Sequence, residues 1–164
     1  MTILDYNESV KLYANRLLRF VIKTMGDATE AEDIVQNSFE VLWKNIEAVE
    51  AEKAKSYLFT IAHRRSIDHI RKYKRTTLVD EIPEKATDFA PDEAQRSELQ
   101  EHLHRALATL SEVQRAAILL RDYEGYSYQE IGEQLNISES QVKVYIFRGR
   151  QKLQTLLQAV RYST

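Results

Sequence analysis

A chain of 164 residues suits one domain or two small ones, each with room for a modest core. With no cysteine it has no disulfide framework, thiol nucleophile or thiolate metal site. Four glycines and two prolines in a chain that is 29% charged point to an all-α protein with few turns. The formal net charge of −2 is an average over segments of opposite sign. Between residues 53 and 75 there are eight cations and one acid, Asp68; between 77 and 94 there are six acids and one cation, Lys85. The opening MTILDYNESV has neither the basic nor the apolar region of a signal peptide. No apolar run reaches the ~18 residues of a spanning helix. A cytoplasmic protein with no membrane insertion is expected.

The first helix is predicted over 6–25, with Tyr13, Leu17, Phe20 and Val21 buried and Gly26 as its stop. The second begins at a capping box of Thr29 with Glu32. Ala31, Ile34, Val35, Ser38, Phe39, Leu42, Trp43 and Ile46 recur at helical spacing as its buried stripe. Its opposite face carries Asp33, Gln36, Asn37, Glu40 and Lys44, which by themselves read as a solvated surface. A third long helix is predicted over 54–73. The acidic stretch 77–95 holds both prolines, Pro83 and Pro91, and has no apolar period, so it reads as a linker between a domain at 1–76 and another at 96–164. Beyond it a helix covers 97–110. Another starts at Ser111, boxed by Gln114, and runs to about 123, where Gly125 ends it.

The segment 126–153, YSYQEIGEQLNISESQVKVYIFRGRQKL, reads as two short helices joined by a tight turn. Ser127 with Glu130 and Ser138 with Gln141 form a capping box at the start of each. Asn136 between them tolerates the left-handed backbone of a sharp turn. Ile131, Leu135, Ile137, Val142 and Ile146 are spaced to pack the pair together. Ser140, Lys143, Val144, Phe147, Arg148 and Gln151 then face outward on the second helix. A helix-turn-helix of this kind presents its second helix to the DNA major groove. An ordinary helical hairpin with a solvated basic face is the plainer alternative.

The third helix mixes cations with aromatics, a pairing that nucleic-acid binding uses. Arg64, Arg65, Arg71, Lys72, Lys74 and Arg75 can neutralise phosphates, while Tyr57, Phe59 and Tyr73 offer flat faces to an unstacked base. The alternatives are a solvated basic face and aromatics belonging to the core. His63, Asp68 and His69 are poorly spaced for a metal site, because helical ligands share a face at i, i+3 or i+4. No phosphate-cradling glycine loop or Ser/His/Asp set occurs, so neither enzymatic activity nor a cofactor is expected.

A basic helix and a helix-turn-helix on separate domains, joined by an acidic linker, resemble the plan of the extracytoplasmic-function (ECF) sigma factors, two-domain members of the sigma-70 family. DATEAEDIVQNSFEVLWKN looks like the family's core-binding segment and SYLFTIAHRRSIDHIRKYKR like its promoter-melting and minus-ten segment. The stretch 106–153, a capped helix, then the helix-turn-helix with Phe147-Arg148-Gly149-Arg150, looks like its minus-thirty-five domain. The resemblance implies a transcription initiation factor that binds core RNA polymerase, directs it to specific promoters and aids their opening. It implies that Asp33, Gln36, Asn37 and Glu40 dock on the clamp helices of the largest subunit, with the flap as a further contact. The loop 47–55 matches the segment that captures a flipped minus-ten base, and Lys55, His63, Arg64, Arg65, Arg71 and Lys72 fall in the minus-ten region. Lys143 and Arg148 match minus-thirty-five contacts, with Ser140 and Phe147 nearby and Arg150 and Lys152 on phosphates. The sequence departs from many members at two positions, with Arg64 in place of Asn and Tyr145 in place of Arg. An anti-sigma factor is implied as a further partner. The alternative function is a stand-alone helix-turn-helix regulator that binds an operator without polymerase.

Overall fold

The computed structural model describes residues 1–77 and 98–162, and all regular structure among them is helical. The chain divides into two units, with the boundary between Asp88 and Phe89, inside the expected linker. The acids of that linker, Asp80, Glu81, Glu84, Asp88, Asp92 and Glu93, lie outside the described residues.

In the N-terminal unit, α1 (Ile3–Met25), α2 (Ala31–Lys44) and α3 (Ala54–Thr77) pack pairwise against one another. Helix α1 starts earlier than its apolar pattern suggested. Thr2 is its N-cap, and Asp5 completes a capping box that the sequence reading overlooked. Gly26, at φ 74°, closes it in the left-handed conformation. The core is built from Leu17, Val21, Leu42, Leu58 and Phe59, all fully buried, and Phe20 packs edge-on to Phe59 with ring centroids 5.2 Å apart. The buried hydroxyls of Ser38 and Ser66 each donate to a carbonyl one turn back, Ile34 O and Ala62 O, both at 2.7 Å. They are thereby satisfied without a partner on another helix.

Helix α2 differs from expectation at both ends. Thr29 does not cap it; Glu30 occupies the N-cap position, without a side-chain hydrogen bond. The Thr29 hydroxyl and N–H both donate to Asp27 Oδ1, at 2.7 and 2.8 Å. A charged acceptor two residues upstream outcompetes the capping geometry. At the other end Trp43 is 47% exposed and lies edge-on to Tyr6 at the rim of the core. Tyr13, also expected in the core, is only partly buried. The chain then turns through 45–50 into a short 3₁₀ turn, Ala51–Lys53, that leads directly into α3.

In the C-terminal unit, α4 (Glu98–Ala108) and α5 (Glu112–Ile118) lie against the long α7 (Glu139–Tyr162), with α6 (Tyr128–Leu135) packed on α7. The Ser111–Gln114 box starts α5 as expected, but its last turn widens into a π segment, Leu119–Tyr123. Both boxes of the helix-turn-helix form. Gln141 N–H donates to Ser138 Oγ at 3.1 Å, and Glu130 N–H donates to Ser127 Oγ at 3.1 Å. Asn136 takes φ 57°, ψ 48°, and Gly132 lets the turn close, since a Cβ there would lie 2.8 Å from the Ile137 carbonyl oxygen. Ile131, Val142 and Ile146 are buried in the seam, and Leu135 and Ile137 are partly so.

Candidate nucleic-acid interface

Burying Val142 and Ile146 fixes which side of α7 faces outward. Ser140, Lys143, Val144, Phe147, Arg148 and Gln151 are all exposed, with Phe147 at 63% and Val144 at 44%. Large apolar side chains left in water on a basic helix face suit the methyl and ring edges of a DNA groove. The face is therefore mixed: two cations, a hydroxyl, an amide and two apolar groups.

Two cations expected on phosphates, both exposed, also have partners within the unit. Arg150 sits beside the buried seam and reaches Asp122 in the π segment, with Nε–H donating to Oδ2 at 3.3 Å and the second nitrogen to Oδ1. Hydrogen bonding to Asp122 is also the main reason that Arg150 holds its proton above the ordinary arginine value. Lys152 Nζ donates to Thr109 O at 2.9 Å, just beyond the end of α4. Both side chains tie α7 to the helices behind it. Lys143, by contrast, stays at the edge of the outward face, 3.8 Å from Glu139 Oε1 and 5.8 Å from the centroid of the Tyr128 ring.

On α3 the structure sorts the candidates by side. Arg64, Arg65, Arg71 and Lys72 are exposed; Lys55 is partly buried, with Nζ 5.9 Å from the centroid of the Phe59 ring. His63 is 8% exposed, so it does not share their surface. Its position one turn from Phe59 and Ile67 puts it on the core side of the helix. Phe59, offered by the sequence as a stacking face, is fully buried, whereas Tyr73 is 38% exposed and Tyr57 is partly so. His63, Asp68 and His69 do not gather, and no group of three such side chains among the described residues could hold a metal ion. On α2, Asp33, Gln36 and Glu40 are exposed and Asn37 partly so, opposite the stripe that packs inward.

Sequence reasoning missed a cluster that joins α7 to the start of α6. Arg121 of the π segment donates from one guanidinium nitrogen to Tyr126 O at 2.8 Å and lies 4.6 Å from the centroid of the Tyr128 ring. Tyr128 is the first residue of α6, so Arg121, Tyr128 and Lys143 join three elements. Such contacts follow no helical period, and no spacing in the sequence announces them.

Residues 10–76 match the family described as Sigma-70 region 2, and residues 100–153 match Sigma-70, region 4. The chain is 30% identical over 152 residues to the ECF RNA polymerase sigma factor SigM of Bacillus subtilis (strain 168), covering 92% of this chain and 93% of that one. It is 31% identical over 153 residues to the ECF RNA polymerase sigma factor SigL of Mycobacterium tuberculosis (strain ATCC 25618 / H37Rv), covering 89% and 85%. Among solved structures, the sigma factor RpoE from Bartonella quintana, crystallised with the anti-sigma factor NepR, matches with a TM-score of 0.82 at 26% identity, covering 95% of this chain and 98% of that one. No described helix is long and apolar enough to cross a membrane. The chain belongs to the ECF sigma factors of the sigma-70 family, initiation factors that bind RNA polymerase and direct it to specific promoters.

Proposed function

We propose that the two units divide promoter recognition between them. The C-terminal unit reads the minus-thirty-five element through Ser140, Lys143, Phe147 and Arg148. The N-terminal unit engages the minus-ten region through Arg64, Arg65, Arg71 and Lys72. The exposed, mixed basic and apolar face of α7 on a doubly capped helix-turn-helix carries this reading. Arg150 and Lys152 orient that helix from behind and make no base contact. Opening the minus-ten region costs a few kcal/mol of unstacking, which a pocket for a flipped base offsets; the loop 47–55 is the surface proposed for it. The outward face of α2, with Asp33, Gln36, Asn37 and Glu40, docks on the clamp helices of the polymerase, and the C-terminal unit contacts the flap. Each unit alone binds weakly, and the polymerase-held tether raises the effective concentration of the second contact. The work is done by binding, without covalent chemistry, in the cytoplasm. RpoE forms a complex with the anti-sigma factor NepR, and an anti-sigma factor likewise holds this chain when it is idle.

Run-off transcription with purified core polymerase on a library of genomic fragments tests this reading and returns the promoter. Lys143→Ala and Arg148→Ala should each weaken promoter binding by about 1–3 kcal/mol if they contact bases. Full promoter selectivity in the double variant removes them from the site. Asp33→Arg should weaken binding to core polymerase while the fold is kept, since the side chain is exposed; unchanged affinity would move the docking face elsewhere.

A further inference from the structure

We infer that Tyr128 is a positioning residue, whose ring fixes the direction in which Lys143 is presented to DNA; this rests on the reading of α7 given above. The ring stands at the first turn of α6, with Lys143 Nζ 5.8 Å and Arg121 Cζ 4.6 Å from its centroid. Arg121 is itself fixed by its hydrogen bond to Tyr126 O at 2.8 Å, in the turn that precedes α6. A chain of contacts thus runs from that turn through Arg121 and Tyr128 to the recognition helix, and Arg150 adjoins the same tyrosine. The other neighbour of Lys143 is Glu139 on its own helix, an exposed pair at 3.8 Å that contributes little. A lysine side chain gives up about 2 kcal/mol of rotamer entropy when it is held in one geometry. A lysine already directed by an aromatic face has less of that cost left to meet when DNA arrives. On this account Tyr128 touches no base and still governs how well Lys143 selects one.

The test uses the full chain assembled with core polymerase and the promoter fragment recovered by run-off selection. It also uses fragments with each base pair of the minus-thirty-five element substituted in turn. Lys143→Ala identifies the base pair that Lys143 reads. Tyr128→Leu should weaken promoter binding about two- to five-fold, the range of an exposed cation–π contact, and should lose discrimination at that same base pair. Tyr128→Phe keeps the ring and should bind as the parent does. Added to Lys143→Ala, the leucine change should cost nothing further. Should Tyr128→Leu fold poorly, Tyr128→Trp, which presents a better cation-binding face, should bind at least as tightly as the parent. A loss spread evenly over all base pairs, a loss undiminished in the Lys143→Ala background, or failure of both Phe and Trp to preserve binding overturns the inference. If Lys143→Ala itself has no effect, the assignment of Lys143 to DNA fails first.

Discussion

The two units are held together by different means. The N-terminal unit uses helices of 23, 14 and 24 residues and buries large apolar side chains along them. The C-terminal unit packs helices of 11, 7 and 8 residues onto α7. Helices shorter than ~12–15 residues are marginal in isolation, so their ends carry more of the specification: capping boxes at Ser111, Ser127 and Ser138, left-handed Asn136, and close approach at Gly132. A long-helix unit is vulnerable to cavities, whereas a short-helix unit is vulnerable at its turns. This suits the proposed role of the C-terminal unit, in which α7 must be held at a defined angle.

The largest effect follows from emptying the N-terminal core. Phe59→Ala removes a fully buried ring that packs on Phe20 and should cost about 3–5 kcal/mol. Trp43, the only tryptophan, lies in this unit, so its fluorescence during denaturation reports the loss there. Equal destabilisation of the C-terminal unit, followed by amide exchange at Val142 and Ile146, would break the comparison.

Next comes the turn of the helix-turn-helix. In Gly132→Ala the new methyl meets a backbone carbonyl at 2.8 Å, and that backbone is pinned by the Ile137 N–H to Gly132 O bond of 3.0 Å. Overpacking costs about 1–3 kcal/mol, against a helix-propensity gain of about 1 kcal/mol. A net loss confined to the C-terminal unit is expected, with Trp43 fluorescence unmoved. A stabilised variant would show that the turn has room to relax.

These two sites differ in how far the sequence revealed them. Helix spacing exposed the α2 stripe and the α7 seam, because burial repeats with the helical period. The three serine boxes were legible because each needs only a serine and a glutamate or glutamine three residues on. Thr29 with Glu32 has the same local pattern and fails, since Asp27 captures the threonine first. His63 and Phe59 lie in a segment so cationic that charge masked the core side of α3. The contacts of Arg150 and Lys152 span 28 and 43 residues of sequence, beyond any local pattern. Removing the two caps compares a formed box with a failed one. Ser127→Ala should cost about 1 kcal/mol, whereas Thr29→Ala, an exposed side chain bonded only to its own turn, should stay within about 0.5 kcal/mol. Equal losses on thermal melting would restore Thr29 as a cap.

The smallest effect separates a charged cap from the neutral ones at α5 and α7 by pH. The α1 box is closed by a carboxylate: Asp5 accepts the Thr2 N–H at 2.8 Å, and its own N–H donates to Thr2 Oγ1 at 3.1 Å. The backbone hydrogen bond from Thr2, followed by the side-chain one, holds the Asp5 carboxyl below its ordinary value. The unfolded chain therefore takes up this proton at higher pH than the folded one does. The contribution of Asp5 is fully present above the ordinary aspartate range, near pH 3.9, and is lost as pH falls through the lower folded value. The boxes that start α5 and α7 close with Gln114 and Gln141, which carry no charge to titrate. Acidification should therefore loosen the first turn of α1 while the starts of α5 and α7 keep their amide protection. Asp5→Asn should make the α1 start equally indifferent to pH, because a neutral amide replaces the only ionisable member of that box. If the pH dependence persists in the Asn variant, another group drives it, and the contrast between a charged and a neutral cap does not explain the difference between these helix starts.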